Sequence, residues 1–156
     1  MALDRPHTVR LEFTSSFDMV DFVQVVSDHV GRDVGLDEDS LHWVGVAVRE
    51  SVTNAIQHGN RNDITKHVIV EFAATPIADG HELLIRVRDQ GEGFDPEELA
   101  DCLAPENLLK PNGRGIFLIR NLMDAVSLRR APEGGMEISM TKRILRSGTA
   151  RDTVQA

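Results

Sequence analysis

Two alternating stretches, HVIVEFAA (67–74) and HELLIRVRD (81–89), stand either side of an Ala-Asp-Gly turn. Side chains along a strand point to opposite faces in turn, so each stretch reads as a strand, and the turn joins them as a pair. In the second, Leu83, Ile85, Val87 and Asp89 share one face, while Arg86 and Arg88 point the other way. A sheet that is apolar on one side needs cover on that side alone. Helical patterns supply it from about Phe17 to about Val30, from DEDS (37–40) to Gly59, and over GIFLIRNLMD (115–124). The Thr-Ser-Ser at 14–16 offers the first of these an N-cap. TVRLEF (8–13), AVSLRRA (125–131) and GMEISMTKRI (135–144) add strands, the last two as a hairpin around PEGG. The expected class is α/β: a two-layer sandwich of a mixed, mostly antiparallel β-sheet with helices on one face.

At 156 residues the chain suits one compact domain. We expect that domain over 1–146 and a polar, flexible tail over 147–156. The formal net charge of −8 argues against nucleic acid or an anionic membrane as partner, since both want a basic face. A phosphate ligand stays open, because a divalent cation and backbone N–H groups offset charge locally. Cys102 is the single cysteine, which rules out a disulfide framework and a cysteine-built zinc site. Asp4 and Arg5 come at once, leaving no charged-then-apolar leader, and no apolar run approaches the roughly 18 residues of a membrane span. The expected location is cytoplasmic.

VRESVTNAIQHGN (48–60) carries an acid and an amide one turn apart. At about 100° per residue, Trp43, Val46, Ala47, Asn54 and Gln57 fall within about 60° of Glu50. Leu41, Val44, Val48, Val52 and Ala55 fall opposite. The helix thus has an apolar stripe for the sheet and a second, mixed face suited to a pocket wall. An amide oxygen on Asn54 is a hard, neutral ligand of the kind Mg²⁺ takes, and Glu50 beside it is placed to orient a water or accept a proton. The same residues equally suit a Glu50–arginine pair and an Asn54 cap. His58 reads as a helix-end residue.

Two glycine-rich segments follow. In DQGEGF, Asp89 ends the apolar row of its strand, and a buried carboxylate needs donors. The exocyclic amine of adenine is one, with Gly91 and Gly93 letting the backbone approach a flat ring; an ordinary Asp-Gln-Gly turn is the other reading. In NGRGIFLIRNLMD, Gly113, Arg114 and Gly115 open an apolar helix, where free N–H groups and the helix dipole favour a phosphate and Arg114 adds a charge-assisted bond. A plain loop before a packed helix fits the segment too. Neither the Walker order nor a dinucleotide fingerprint is present. A loop of about twenty residues between the two boxes has the length of a lid. In their order, a base and metal ligand, an adenine reader and a phosphate cradle describe one ATP·Mg²⁺ site.

The E-x-x-x-N helix, the D-x-G-x-G turn and the G-x-G-I-F-L-I helix resemble those of the GHKL ATPases, which share the Bergerat ATP-binding fold. RESVTNAIQHGN and GRGIFLIRNLMDAV are most similar to the bacterial anti-sigma-factor serine kinases. The resemblance runs from about residue 8 to about 145. It implies Glu50 as catalytic base, Asn54 as Mg²⁺ ligand and Asp89 as adenine reader. It also implies Gly91 and Gly93 on the adenine wall, with Gly113, Arg114 and Gly115 beside the phosphates. It implies ATP and Mg²⁺ as cofactors, an anti-anti-sigma (STAS-domain) partner phosphorylated on serine, a sigma factor as second partner, and a homodimer. Such relatives often carry Thr after the glycine that opens the final strand. Here Gly135 precedes Met136, and Ser139, Thr141 or a water are the candidates to replace that hydroxyl. Two other functions fit the same pocket: a partner-binding switch without phosphoryl transfer, and the ATPase part of a histidine kinase. Against the last, the first strand begins too near Met1 for phospho-acceptor helices to precede it.

Overall fold

A computed structural model describes residues 5–92 and 111–146, with the backbone alone for 111–114. Five strands form one antiparallel sheet: β1 (His7–Thr14), β2 (His67–Ile77), β3 (Gly80–Arg88), β4 (Ala125–Arg130) and β5 (Met136–Leu145), in the order β1-β2-β3-β5-β4. Three helices are seen among the described residues: α1 (Asp18–Asp33), α2 (Glu38–Asn54) and α3 (Pro111–Leu122). The expected two-layer α/β arrangement is present, and every strand pairing is antiparallel. The tail and the greater part of the expected lid lie outside the described residues. The helix expected over 115–124 begins earlier, at Pro111, and ends at Leu122.

Strand register aligns the apolar residues in rows across the sheet. One row runs Val9, Phe72, Ile85, Met140, Val126, and the next runs Leu11, Val70, Val87, Ile138, Leu128. A one-residue slip would turn a whole row to solvent, so burial itself holds the register. Phe72, Leu83, Ile85 and Met140 are fully buried, as are Val44, Val48 and Val52 on α2 and Ile119 on α3. Each such side chain contributes about 1.5–3 kcal/mol when removed from water. The outward rows carry hydroxyls and charge pairs instead. Among them, Arg10 meets Glu71 at 3.5 Å, and Glu137, only 1% exposed, is bonded by both Arg88 and Arg129.

The start of α2 follows its sequence: Asp37 accepts a 2.7 Å hydrogen bond from the Ser40 N–H, satisfying one of the free donors of the first turn. The start of α1 does not. Phe17 occupies its cap position with no side-chain bond. Ser15, the middle residue of the Thr-Ser-Ser expected to supply the cap, is buried and donates instead to the Lys66 carbonyl at 2.7 Å. A tertiary partner has taken the hydroxyl from the helix.

Beyond Asn54 the helix widens into a π-turn, Ala55–Gly59. It is closed by the Asn60 N–H on the Ala55 carbonyl at 2.8 Å. Arg61 and Asn62 then take positive φ of 52° and 60° to turn the chain toward β2.

Candidate functional site

The second face of α2 is divided between two tasks. Its middle, at the fully buried Ala47, belongs to the packed core, and α2 as a whole packs against α3. Trp43, expected on a pocket wall, is instead 47% exposed. The C-terminal end of the face opens onto a cavity of about 200 Å³. Ser51, Asn54 and Ala55 supply one wall, and Leu128, Met136 and Ile138 of the sheet supply the floor. Ile116 closes it from α3, and Asp89, His58 and Gly59 form its polar end.

Glu50 and Asn54 meet as their spacing requires. Both reach the same side of Gly115: a Cβ placed there would stand 3.0 Å from Glu50 Oε2 and 3.0 Å from Asn54 Nδ2. A side chain at this position would press on both groups and require them to give way by a few tenths of an ångström. Gly113 lies in the first turn of the same helix, and the Arg114 side chain and Gly93 lie outside the described residues. Among the described residues no cluster of three His, Cys, Asp or Glu side chains forms a metal cage. One amide oxygen is a donor set that suits Mg²⁺, which keeps most of its waters and takes the remaining ligands from substrate phosphates.

Asp89 lines the same cavity, just past the end of β3, and is 5% exposed. Its Oδ1 accepts from the Gly91 N–H at 2.9 Å and from the Met136 N–H at 3.1 Å. Burial pushes its carboxyl above the usual range, and the two backbone bonds pull part of the way back. Gly135, at φ +83°, passes the Asp89 backbone so closely that a Cβ would strike its carbonyl.

The structure therefore brings Glu50, Asn54 and Gly115 together, and Asp89 and Gly91 together, with Asn54 and Asp89 lining one cavity. Two expectations change. Gln57 and His58 are both exposed, but it is His58 that lines the cavity, because the π-turn holds one residue more than an α-turn and so advances the face. Ser139 and Thr141 cannot stand in for a hydroxyl beside Asp89. Strand alternation puts them on the outer face, where they line a separate depression with Arg86 and Ser127. The inward neighbour is Met136, whose backbone N–H holds the carboxylate. Ser51 and Ala55 had a legible signal, one residue beyond Glu50 and Asn54 on the helix; the contributions of Leu128 and Ile138 depend on strand order.

The pattern of the family described as "Histidine kinase-like ATPase domain" matches residues 14–142. The chain is 27% identical to the serine-protein kinase RsbW of Bacillus cereus (strain AH820), over 96% of this chain and 93% of that one. The same figures hold for the protein of that name from Bacillus thuringiensis (strain Al Hakam). Among solved structures, it superposes on the RsbU and RsbW domains of Rv1364c from Mycobacterium tuberculosis with a TM-score of 0.61 at 18% identity. That match covers 90% of this chain and 33% of that longer one. It superposes on one chain of the SiaB-SiaC complex from Pseudomonas aeruginosa with a TM-score of 0.59 at 15% identity, covering 87% of this chain and 89% of that one. These structural likenesses speak for the fold.

Proposed function

This chain belongs to the histidine kinase-like ATPase domain family, and from that premise we propose that it is an ATP-binding anti-sigma regulatory factor with serine-protein kinase activity. Its substrate is a serine of an anti-anti-sigma, STAS-type partner. A sigma factor is its second partner, its working form is a homodimer, and its location is the cytoplasm. The observation that carries this reading is that Asn54, which meets Glu50 at Gly115, lines one cavity together with the buried Asp89. Relatives that match nearly end to end are named as serine-protein kinases, which supports the choice of acceptor.

In this reading Asp89 accepts a hydrogen bond from the adenine amine, and the base lies over Met136 and Ile138. The triphosphate runs toward the start of α3, where Gly113, Arg114 and Gly115 receive it, and Gly91 and Gly93 shape the wall beside the base. Asn54 holds Mg²⁺, which when bound neutralises phosphate charge. Glu50 accepts the proton of the attacking serine hydroxyl as its oxygen bonds the γ-phosphorus and the bond to the β-phosphate oxygen breaks, leaving ADP. Positioning and charge neutralisation supply most of the rate in such transfers.

The test is incubation with labelled ATP and candidate STAS proteins, wild type against Glu50→Ala. Acid-stable phosphoserine is expected from the wild type. The variant should keep its ATP affinity and transfer about 10²–10⁴-fold more slowly. Equal rates for the two would remove Glu50 from its role, and stable complexes without transfer would mark a binding switch instead.

A further inference from the structure

The hydrogen bonds around Asn60 close into a ring. Asn60 Nδ2 donates to the His67 carbonyl at 2.9 Å, the His67 N–H donates to Gln90 Oε1 at 2.6 Å, and the Gln90 N–H donates to Asn60 Oδ1 at 2.8 Å. A further Nδ2 bond goes to Ser15 Oγ at 2.7 Å. Asn60 is fully buried, and its carboxamide spends both donors and its acceptor on three separate parts of the chain. This ties the end of the π-turn to the start of β2 and to the turn that follows β3.

Asn60 and Gln90 do not line the cavity themselves, but the residue before each of them does: Gly59 and Asp89. The Gly59 backbone is packed against the Asp89 carboxylate and against Gly91, leaving no room for a Cβ at either glycine. The ring thus sits directly behind the polar end of the cavity. It also anchors the turn whose Gly91 N–H holds Asp89 Oδ1.

We propose that Asn60, acting with Gln90, is a positioning residue for base selection: it fixes the depth at which Asp89 meets the base. This rests on the nucleotide reading of the cavity. A carboxylate separates an amine from a carbonyl at the same ring position only while it cannot withdraw from the unwanted oxygen. Held in place, it makes the wrong base bury two unpaired acceptors; released, it turns to water and the penalty lapses.

The probes are ATP and inosine triphosphate, which carries a carbonyl where adenine carries the amine. Affinities for both are measured by calorimetry, with a melting curve for each protein, on the wild type and on Asn60→Ala, Gln90→Ala, Gln90→Glu and Ser15→Ala. The wild type should prefer ATP. Asn60→Ala should cut that preference about tenfold, the worth of one such hydrogen bond, and Gln90→Ala roughly threefold. Gln90→Glu keeps an acceptor for the His67 N–H and should retain the preference, while Ser15→Ala should melt earlier with the preference intact. Gln90 is exposed, so the Gln90→Ala and Gln90→Glu pair decides the matter should Asn60→Ala not fold. An unchanged ratio in Gln90→Ala, or an equal fall in Ser15→Ala, overturns the proposal. A wild type that binds both triphosphates equally overturns the adenine reading itself, and the proposal with it.

Discussion

Arg88 and Glu137 lie directly opposite each other on β3 and β5, and the guanidinium donates to one carboxylate oxygen from Nη2 at 2.6 Å and from Nε at 3.1 Å. Arg129, opposite Glu137 on β4, bonds the other oxygen at 2.8 Å. The result is a buried acid on the face of the sheet that carries no helix among the described residues, held by two arginines that reach solvent. Removing one partner of a buried pair costs about 3–5 kcal/mol, and less where the orphaned charges can hydrate. Glu137→Ala should therefore cost about 2–3 kcal/mol in urea unfolding, leaving ATP affinity nearly unchanged because the triad faces away from the cavity.

The two buried acids should give opposite pH slopes. Burial would raise the Glu137 carboxyl, but the bonds from Arg88 and Arg129 outweigh it and hold it below the usual range. Its stabilisation is present above the unfolded-state value of 4.5 and is lost as pH falls through the folded value. Asp89 lies above its usual 3.8, so the folded chain binds the extra proton and stability falls as pH rises from 3.8 through the folded value. Asp89→Asn should remove the second slope, raise the melting temperature near neutral pH and weaken ATP roughly ten- to hundredfold. Urea unfolding across pH 3–8 and calorimetry check the two halves.

Gly115→Ala sets helix preference against the site. Alanine is favoured over glycine inside a helix by about 1 kcal/mol. The new methyl would press on Glu50 and Asn54 at 3.0 Å, and displacing them should cost about 10²-fold in phosphoryl transfer. A variant as stable as wild type yet nearly inactive is the expected outcome; full activity would show that the two side chains need not meet there.

Asn54→Ala should abolish the Mg²⁺-dependent share of ATP affinity while leaving metal-free binding intact. Titrations with and without magnesium separate the two. An undiminished magnesium effect would take the metal from Asn54.

What could be read from the sequence was whatever depends on local period. The alternation of 81–89 already put Asp89 at the end of the inward row, and the four-residue spacing of Glu50 and Asn54 put them at one point. The misreadings arose where tertiary contact overrides a local rule. Ser15 has the chemistry of a cap but is claimed by Lys66 and Asn60. The π-turn has no composition of its own, so the exchange of Gln57 for His58 could not be counted forward along an ideal helix. Arg88 and Glu137 are 49 residues apart, and only strand order and register make them partners.

The π-turn has a consequence for how tolerant the chain is of change. It inserts a step of phase between Asn54 and Asn60, so whatever lies upstream of that step is indexed to α2 and whatever lies downstream to the Asn60 ring. Trimming or overwinding α2 would re-aim Glu50 and Asn54 while the floor under Asp89 stays where its own ties keep it. The Glu50–Asn54 pair and the Asp89 wall are thus geared separately, and drift in one need not be matched by drift in the other.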